Sequence, residues 1–154
     1  MGVDHDHDVR TSVFVAVPES VPIARRFAVD AARKSGWAET DVIALLVSEL
    51  ATNSVHAAGA FAVVVFTPCE DDAGHLRLRM EVVDDCLVRP VDRGMAPDSA
   101  ESGRGIPIVA ALAEEWHSEE RGNGKAVCIT LREEAQHERR RRYRAGNSPA
   151  ALAS

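Results

Sequence analysis

The chain has 154 residues, of which 45% are hydrophobic and 27% are charged, and its formal net charge is −6. These values are typical of one soluble globular domain and exclude fibrous and wholly disordered chains. No stretch approaches the ~20 apolar residues of a membrane span, and the N-terminus lacks the basic and apolar parts of a secretory signal, so we expect a cytoplasmic protein without a membrane segment.

The negative charge is unevenly distributed along the chain. Residues 138–154 carry five arginines and one acid, which leaves 13 basic and 23 acidic side chains, a charge of −10, on the rest. A body this acidic is not expected to bind nucleic acid directly. We predict a flexible N-terminus at residues 1–10, one domain at 11–132, and a charged, disordered tail at 133–154.

The three cysteines, Cys69, Cys86 and Cys128, are widely separated and form no CxxC pair. Their spacing therefore suggests neither a disulfide framework nor a zinc site, and it fits reduced thiols in a cytoplasm.

The first part of the chain predicts a strand followed by two helices. Thr11 to Val17 is rich in β-branched and aromatic residues, which is typical of a strand. Glu19 to Ser35 has helical periodicity. A second helix begins near Thr40 and continues to about Ala58, where Gly59 follows as a stop.

The second part predicts mostly strands. In chain order these elements are strands at Phe61–Thr67 and Leu76–Val83, a helix at Ile106–Trp116, and strands at His117–Arg121 and Ala126–Leu131. Turn-forming residues 70–74 join the first two strands into a hairpin. From Asp84 to Gly103 no periodicity survives, which is typical of a functional lid or a disordered insert. The order β-α-α-β-β-loop-α-β-β predicts an α/β two-layer sandwich, with a mixed, mostly antiparallel sheet covered on one face by three helices.

Three polar residues share one face of the second predicted helix. At about 100° per residue, Glu49, Asn53 and His56 fall within roughly 60° of one another. The face that we expect to pack on the core comprises Ile43, Val47, Leu50 and Ser54. The polar stripe is consistent with a solvated helix face and with a ligand-binding face.

Two more segments carry groups that suit a ligand. Asp84 and Asp85 end a predicted strand, where a carboxylate can accept a hydrogen bond from an exocyclic amine or can simply form a turn. Gly103-Arg104-Gly105 opens the third helix, where backbone N–H groups at the positive helix end suit phosphate oxygens. A pair of helix-start glycines explains this segment equally well.

Together these segments resemble the boxes of the GHKL nucleotide-binding fold. SELATNSVHA resembles its ELVTN-type box, VVDDC its strand-end Asp box, ESGRGIPIVAALAEEW its glycine box, and GNGKAVCITL its closing Gly-Lys strand. The resemblance extends from about Thr11 to Arg132. The sequence resembles the histidine-kinase-like ATPase domain of bacterial anti-sigma-factor serine kinases, and it is most similar to small actinobacterial-type single-domain ATP-binding regulatory proteins.

The resemblance implies ATP and Mg²⁺ as cofactors and a role for each matching residue. Glu49 would be the general base that polarises a serine hydroxyl or a water, and Asn53 would hold Mg²⁺. Asp84 would accept a hydrogen bond from the adenine amine, and His56 would support phosphate. Gly103, Arg104 and Gly105 would shape the end of the lid around the phosphates.

Several positions depart from the pattern of that family. Cys86 stands where the Asp box often has Gly or Ser, Ala57 where His or Tyr is common, and Ala126 where a Thr frequently helps to bind the base. A neutral His56 would support phosphate less well than Lys or Arg. We therefore expect weak nucleotide affinity.

The function that the resemblance implies is a protein serine/threonine kinase. It would phosphorylate an anti-anti-sigma-type partner and sequester a sigma factor when that partner is modified, and a homodimer is compatible with the family. The alternative, which the departures favour, is a non-catalytic nucleotide-sensing module that acts by partner association alone.

Overall fold

The computed structural model describes residues 8–86 and 105–133. Residues 1–7 of the predicted N-terminal segment, the predicted lid from residue 87, and the predicted tail from residue 134 lie outside these ranges. Within them, no helix combines the length and the apolar character that crossing a membrane requires.

The described elements follow the predicted order, with one extra short strand. They are β1 (Val9–Val15), α1 (Ser20–Lys34), α2 (Thr40–Ala57), β2 (Ala60–Phe66), β3 (Cys69–Glu70), β4 (Leu76–Asp84), α3 (Gly105–Leu112), β5 (Glu115–Arg121) and β6 (Gly124–Glu133).

The strands form one sheet in the order β1-β2-β4-β6-β5, and β3 pairs with β4. Every pairing between the described strands is antiparallel. The predicted hairpin is confirmed by the ladder between β2 and β4, in which Val63 lies opposite Val82. β1 begins two residues before its predicted start, because Val9 and Arg10 pair with the end of β2.

The three described helices cover one face of this sheet, which confirms the predicted two-layer architecture. α1 and α3 both pack against α2. The fully buried side chains of the apolar stripe of α1 are all small, which favours a close approach of its backbone to α2. The buried residues of its apolar stripe are Ala24, Ala28, Ala31 and Ala32. The predicted core face of α2 is confirmed, because Ile43, Val47, Leu50 and Ser54 are each at most 2% exposed.

The central strands β4 and β6 carry the core side of the sheet. Leu78, Met80 and Val82 of β4 lie opposite Leu131, Ile129 and Val127 of β6, and all six are buried. Their neighbours on β4 point to the other face, as the period of two requires. Glu81 is nonetheless 2% exposed, because Arg79 and Arg121 pair with its carboxylate.

The third helix is shorter than the sequence predicts. It ends at Leu112, and Trp116 belongs to β5, where it lies opposite Ile129. The amide of Glu114 already donates to the carbonyl of Thr130 at 3.0 Å. Pairing with β6 therefore overrides the helical periodicity of this segment.

The two-residue strand β3 is absent from the prediction because its position depends on a tight turn. The Asp71 carboxylate accepts hydrogen bonds from the amides of Ala73 and His75, and Gly74 has a φ of 79°. This Asx-type turn brings Glu70 back beside Leu76.

Candidate functional site

The polar stripe of α2 is only partly exposed to solvent. Glu49 and Asn53 are half-buried, whereas His56 at the end of the helix is exposed. The first two side chains therefore lie at the border of the packed region, one helical turn apart, and His56 lies at its rim.

A hydrogen bond joins this part of α2 to the end of β4. The hydroxyl of Ser54 lies 3.0 Å from Asp84 Oδ2 and 3.2 Å from the carbonyl of Leu50, and it has one hydrogen to donate. The bond to the carboxylate is the stronger of the two, because its acceptor carries a full charge. Ser54 follows Asn53 directly, so the contact brings the Asn53 turn and Asp84 to the same end of the domain.

Ser54 belongs to the candidate site, although its spacing along α2 predicts a core position. It is 1% exposed, which agrees with that assignment, but its hydroxyl serves the carboxylate. One feature of the sequence indicates this role: Ser54 places a hydroxyl among the apolar positions of α2, directly after Asn53 of the polar stripe.

Asp84 is held by groups from three directions. Besides Ser54 on Oδ2, the amide of Cys86 donates to Oδ1 at 3.0 Å, and the Lys125 ammonium lies 3.7 Å from Oδ2. Asp84 is 8% exposed and Lys125 is 9% exposed. Each carboxylate oxygen has two lone pairs, so Oδ1 keeps acceptor capacity beyond its bond to Cys86.

The pairing of β4 with β6 decides which residue of β6 stands beside Asp84, and that residue is not Ala126. Ala126 lies opposite Val83 on the sheet face away from the helices, whereas Lys125 lies opposite Asp84 on the helix side. The residue of β6 that bears on Asp84 is therefore Lys125, from the Gly-Lys match, and not Ala126. A shift of one residue along a strand exchanges the two faces, and sequence alone left that register open.

Asp84 and Asp85 have different roles. The carboxylate of Asp85 accepts a hydrogen bond from the amide of Gly59 at 2.8 Å. This bond holds the chain just beyond α2, where Ala57 is exposed. Asp85 is thus a structural residue, and Asp84 is the carboxylate that lies near the polar stripe.

Gly124 is required where β4 and β6 meet beside Asp84. A Cβ atom at this position would lie 1.8 Å from the Asp84 carbonyl oxygen and 2.8 Å from the Asp85 Cα, both of which are backbone atoms. The absence of a side chain therefore lets the start of β6 approach the end of β4.

The predicted phosphate segment is only partly described. Gly103 and Arg104 lie outside the described residues, and Gly105 is the first residue of α3. Pro107 in the first turn suits the start of a helix, since the amide that it lacks has no partner within the helix there. Gly105 thus belongs to a helix that packs against α2, the helix that carries Glu49.

The chain is similar to solved structures and to one protein family. Two nucleotide-free crystal forms of the catalytic domain of histidine kinase ThkA align with 80% of this chain, at 12% and 13% identity and TM-scores of 0.38 and 0.36. The alignments cover 97% and 96% of that domain. Among curated proteins, none matches the chain. The family described as the histidine kinase-like ATPase domain matches residues 14–131, from the end of β1 into β6. This chain therefore belongs to the histidine kinase-like ATPase domain family.

Proposed function

We propose that this protein is an ATP-dependent serine/threonine kinase of the anti-sigma-factor type. It would phosphorylate an anti-anti-sigma-type protein and sequester a sigma factor once that partner is modified. The observation that carries the proposal is the Ser54–Asp84 hydrogen bond, which ties the Glu49–Asn53 face of α2 to a buried carboxylate at a strand end. We further propose that it works in the cytoplasm on protein partners, alone or as a homodimer.

The residues present suit a nucleotide with its metal. Asp84 Oδ1 retains a lone pair for an exocyclic amine, and burial of the carboxylate strengthens such a bond. The amide oxygen of Asn53 is a hard ligand of the kind that Mg²⁺ accepts when it keeps water and phosphate oxygens as its other ligands. Bound ATP and Mg²⁺ would supply the phosphoryl group and the charge that neutralises its oxygens.

Glu49 has the position and chemistry of a general base. Its carboxylate lies one turn before Asn53 on a half-buried face, and it would take the proton from the serine hydroxyl of the partner. Asp84 would orient the base. His56 is exposed at the end of α2, where it is accessible to phosphate or to the partner.

Phosphate transfer from labelled ATP to anti-anti-sigma-type proteins tests this proposal. Glu49→Gln should lower the transfer rate by about 100-fold or more, because a general base contributes about 10² to 10⁴. Calorimetric ATP affinity should change by no more than about threefold, because the amide keeps the shape of the side chain. Glu39→Gln is the matched control, since Glu39 is an exposed carboxylate that makes no side-chain cap bond at the start of the same helix.

Two results would contradict the proposal in different ways. Transfer that proceeds at the wild-type rate in Glu49→Gln would remove Glu49 from the mechanism. Absence of ATP binding to the wild-type chain, with and without Mg²⁺, would remove the nucleotide site itself.

A nucleotide-sensing module without phosphotransfer is the second candidate, and Lys125 favours it. Its ammonium, 3.7 Å from Asp84 Oδ2, draws on the charge of the same carboxylate and so weakens the hydrogen bond that Oδ1 can accept from a base amine. Calorimetry with ATP and ADP separates the two candidates. Nucleotide binding that changes partner affinity, without transfer to any anti-anti-sigma-type protein, supports the module.

A further inference from the structure

A second group of reactive side chains lies on the face of the sheet opposite the described helices. His117 of β5 is directly opposite Cys128 of β6, and Glu119 follows two residues later on the same face. We call His117, Glu119 and Cys128 the β5–β6 cluster. Because Ile129 faces the helical core, the cluster lies on the opposite side of the sheet from Asp84.

The spacing of the β5–β6 cluster is close to that of metal ligands. Cys128 Sγ is 3.7 Å from Glu119 Oε1, and His117 Nε2 is 3.7 Å from Glu119 Oε2. One ligand atom from each residue lies within 4.8 Å of both others. In a tetrahedral zinc site, bond lengths of about 2.0–2.3 Å place ligand atoms about 3.3–3.7 Å apart. Small side-chain rotations would therefore suffice to bring the three atoms onto one ion.

We propose that the β5–β6 cluster is a three-ligand site for Zn²⁺. Imidazole, carboxylate and thiolate are the three ligand types that Zn²⁺ takes in proteins. The His117 side chain is 60% exposed and that of Glu119 is 42% exposed, so the fourth coordination position faces solvent. A three-ligand site with a solvent-facing position suits a water molecule or a donor from another molecule.

The Arg121 guanidinium places a positive charge beside the β5–β6 cluster. Its guanidinium donates to Glu119 Oε1 and to Glu81, and Nη2 lies 3.9 Å from Cys128 Sγ. Zn²⁺ would bind through Glu119 Oε2, which faces His117, and Arg121 would keep Glu81. The bound ion and the guanidinium would still repel each other, so Arg121 lowers the affinity for the metal.

Cys128 carries its proton at neutral pH, so a metal ion that binds there must displace that proton. Burial, together with the negative charges of Glu81 and Glu119, raises the pKa of this thiol to about 11. Coordination therefore converts the thiol and Zn²⁺ into a zinc thiolate, and the proton leaves to the buffer. Metal binding should release about one proton per ion at neutral pH.

Titration of the reduced full-length chain with Co²⁺ tests the proposal, because a cobalt thiolate has a charge-transfer absorption that nitrogen and oxygen ligands do not produce. We expect one Co²⁺ per chain, displaced by Zn²⁺. The band should persist in Cys69→Ser/Cys86→Ser, which keeps Cys128 as the only thiol, and it should vanish when Cys128→Ser is added. His117→Ala should weaken Co²⁺ and Zn²⁺ binding by about tenfold or more. Because His117 is exposed, the substitution should not disturb the fold, so the weaker binding would come from the lost ligand.

Arg121→Gln should change the affinity for Zn²⁺ in the opposite direction. Removing the guanidinium should strengthen Zn²⁺ binding by about tenfold, since a competing cation is lost. The proposal would be overturned by any of three results: a band that survives when Cys128→Ser is added to Cys69→Ser/Cys86→Ser, a wild-type chain that binds no Zn²⁺ at millimolar concentration, or unchanged affinity in His117→Ala. The candidate nucleotide site lies on the other face of the sheet and is measured separately. Failure of zinc binding therefore says nothing about ATP binding, and failure of ATP binding says nothing about zinc binding.

Discussion

At the scale of single residues, Ser54 links the two elements that form the candidate site. Its hydroxyl is buried in the helical layer, yet it reaches across to a strand-end carboxylate. A buried carboxylate needs several donors, because desolvation penalises its charge. Ser54, Cys86 and Lys125 meet that need for Asp84.

Ser54→Ala should lower the free energy of unfolding by about 1–2 kcal/mol, because it removes a hydrogen bond to a charged group and leaves Asp84 with fewer donors. Urea unfolding measures this change. Thr52→Ala is the matched control, because the Thr52 hydroxyl bonds only to the Ser48 carbonyl of its own helix in the described contacts, and we expect a change within about 0.5 kcal/mol. Equal losses in the two variants would contradict the role assigned to the Ser54–Asp84 bond.

At the scale of secondary-structure elements, the contact between β4 and β6 determines where the Asp84 carboxylate lies. These central strands pair from Leu76 with Glu133 to Asp84 with Lys125. Register along this ladder puts Lys125 on the helix side and Ala126 on the other side. The close approach at Gly124 ends the ladder beside the candidate site.

Gly124→Ala should destabilise the protein by about 2 kcal/mol or more, since the new methyl group can be accommodated only by moving the backbone of Asp84 and Asp85. ATP affinity should fall with it, because the carboxylate moves. Gly59→Ala is a suitable comparison: its Cβ would meet only the Asp85 side chain, at 3.2 Å, and that side chain can shift. Thermal unfolding and calorimetry of both variants check the difference, and equal stability would contradict the packing argument.

At the scale of the whole molecule, the two faces of the sheet differ in chemistry. The face towards the described helices packs into the apolar core, whereas the opposite face carries ion pairs centred on Glu81. Burial raises the pKa of the Glu81 carboxyl, but hydrogen bonds and charges from Arg121 and Arg79 outweigh that effect and lower it below 4.5. The Arg121 guanidinium lowers the pKa of Glu119 as well.

Stability should therefore decrease in acid. A carboxyl whose pKa is lower in the folded chain than in the unfolded chain stabilises the fold above its unfolded value, and this stabilisation is lost as the pH falls through the folded value. The loss should begin near pH 4.5, the ordinary value for Glu81, and continue below it.

Glu81→Gln should make the acid loss shallower by up to about 1.4 kcal/mol per pH unit, the slope for one proton. It should also lower stability at neutral pH, because Arg121 and Arg79 lose a charged partner. Urea unfolding at several pH values between about 7 and about 3 measures both effects. Glu115→Gln, at an exposed position of the same sheet, should retain the wild-type slope. Parallel pH profiles for wild type and Glu81→Gln would contradict this account.

The sequence by itself determined the element types and most of their order. Periodicity of 3.6 or 2 and turn residues are local properties, so the helices α1 and α2, the β2–β4 hairpin and the core face of α2 were all predictable. The polar residues Glu49 and Asn53 were also visible, because their spacing within one helix sets their shared face. Their chemical roles stay predictions.

Only the tertiary structure decided which distant residues meet. The pairs Ser54 with Asp84, Lys125 with Asp84, and His117 with Cys128 depend on strand register and on how a helix packs over a sheet. Register is set by the combined burial of a whole core face, and a slip of one residue reverses both faces of a strand. For the same reason cysteine spacing gave no sign of the β5–β6 cluster, which forms across a turn only once β5 and β6 pair.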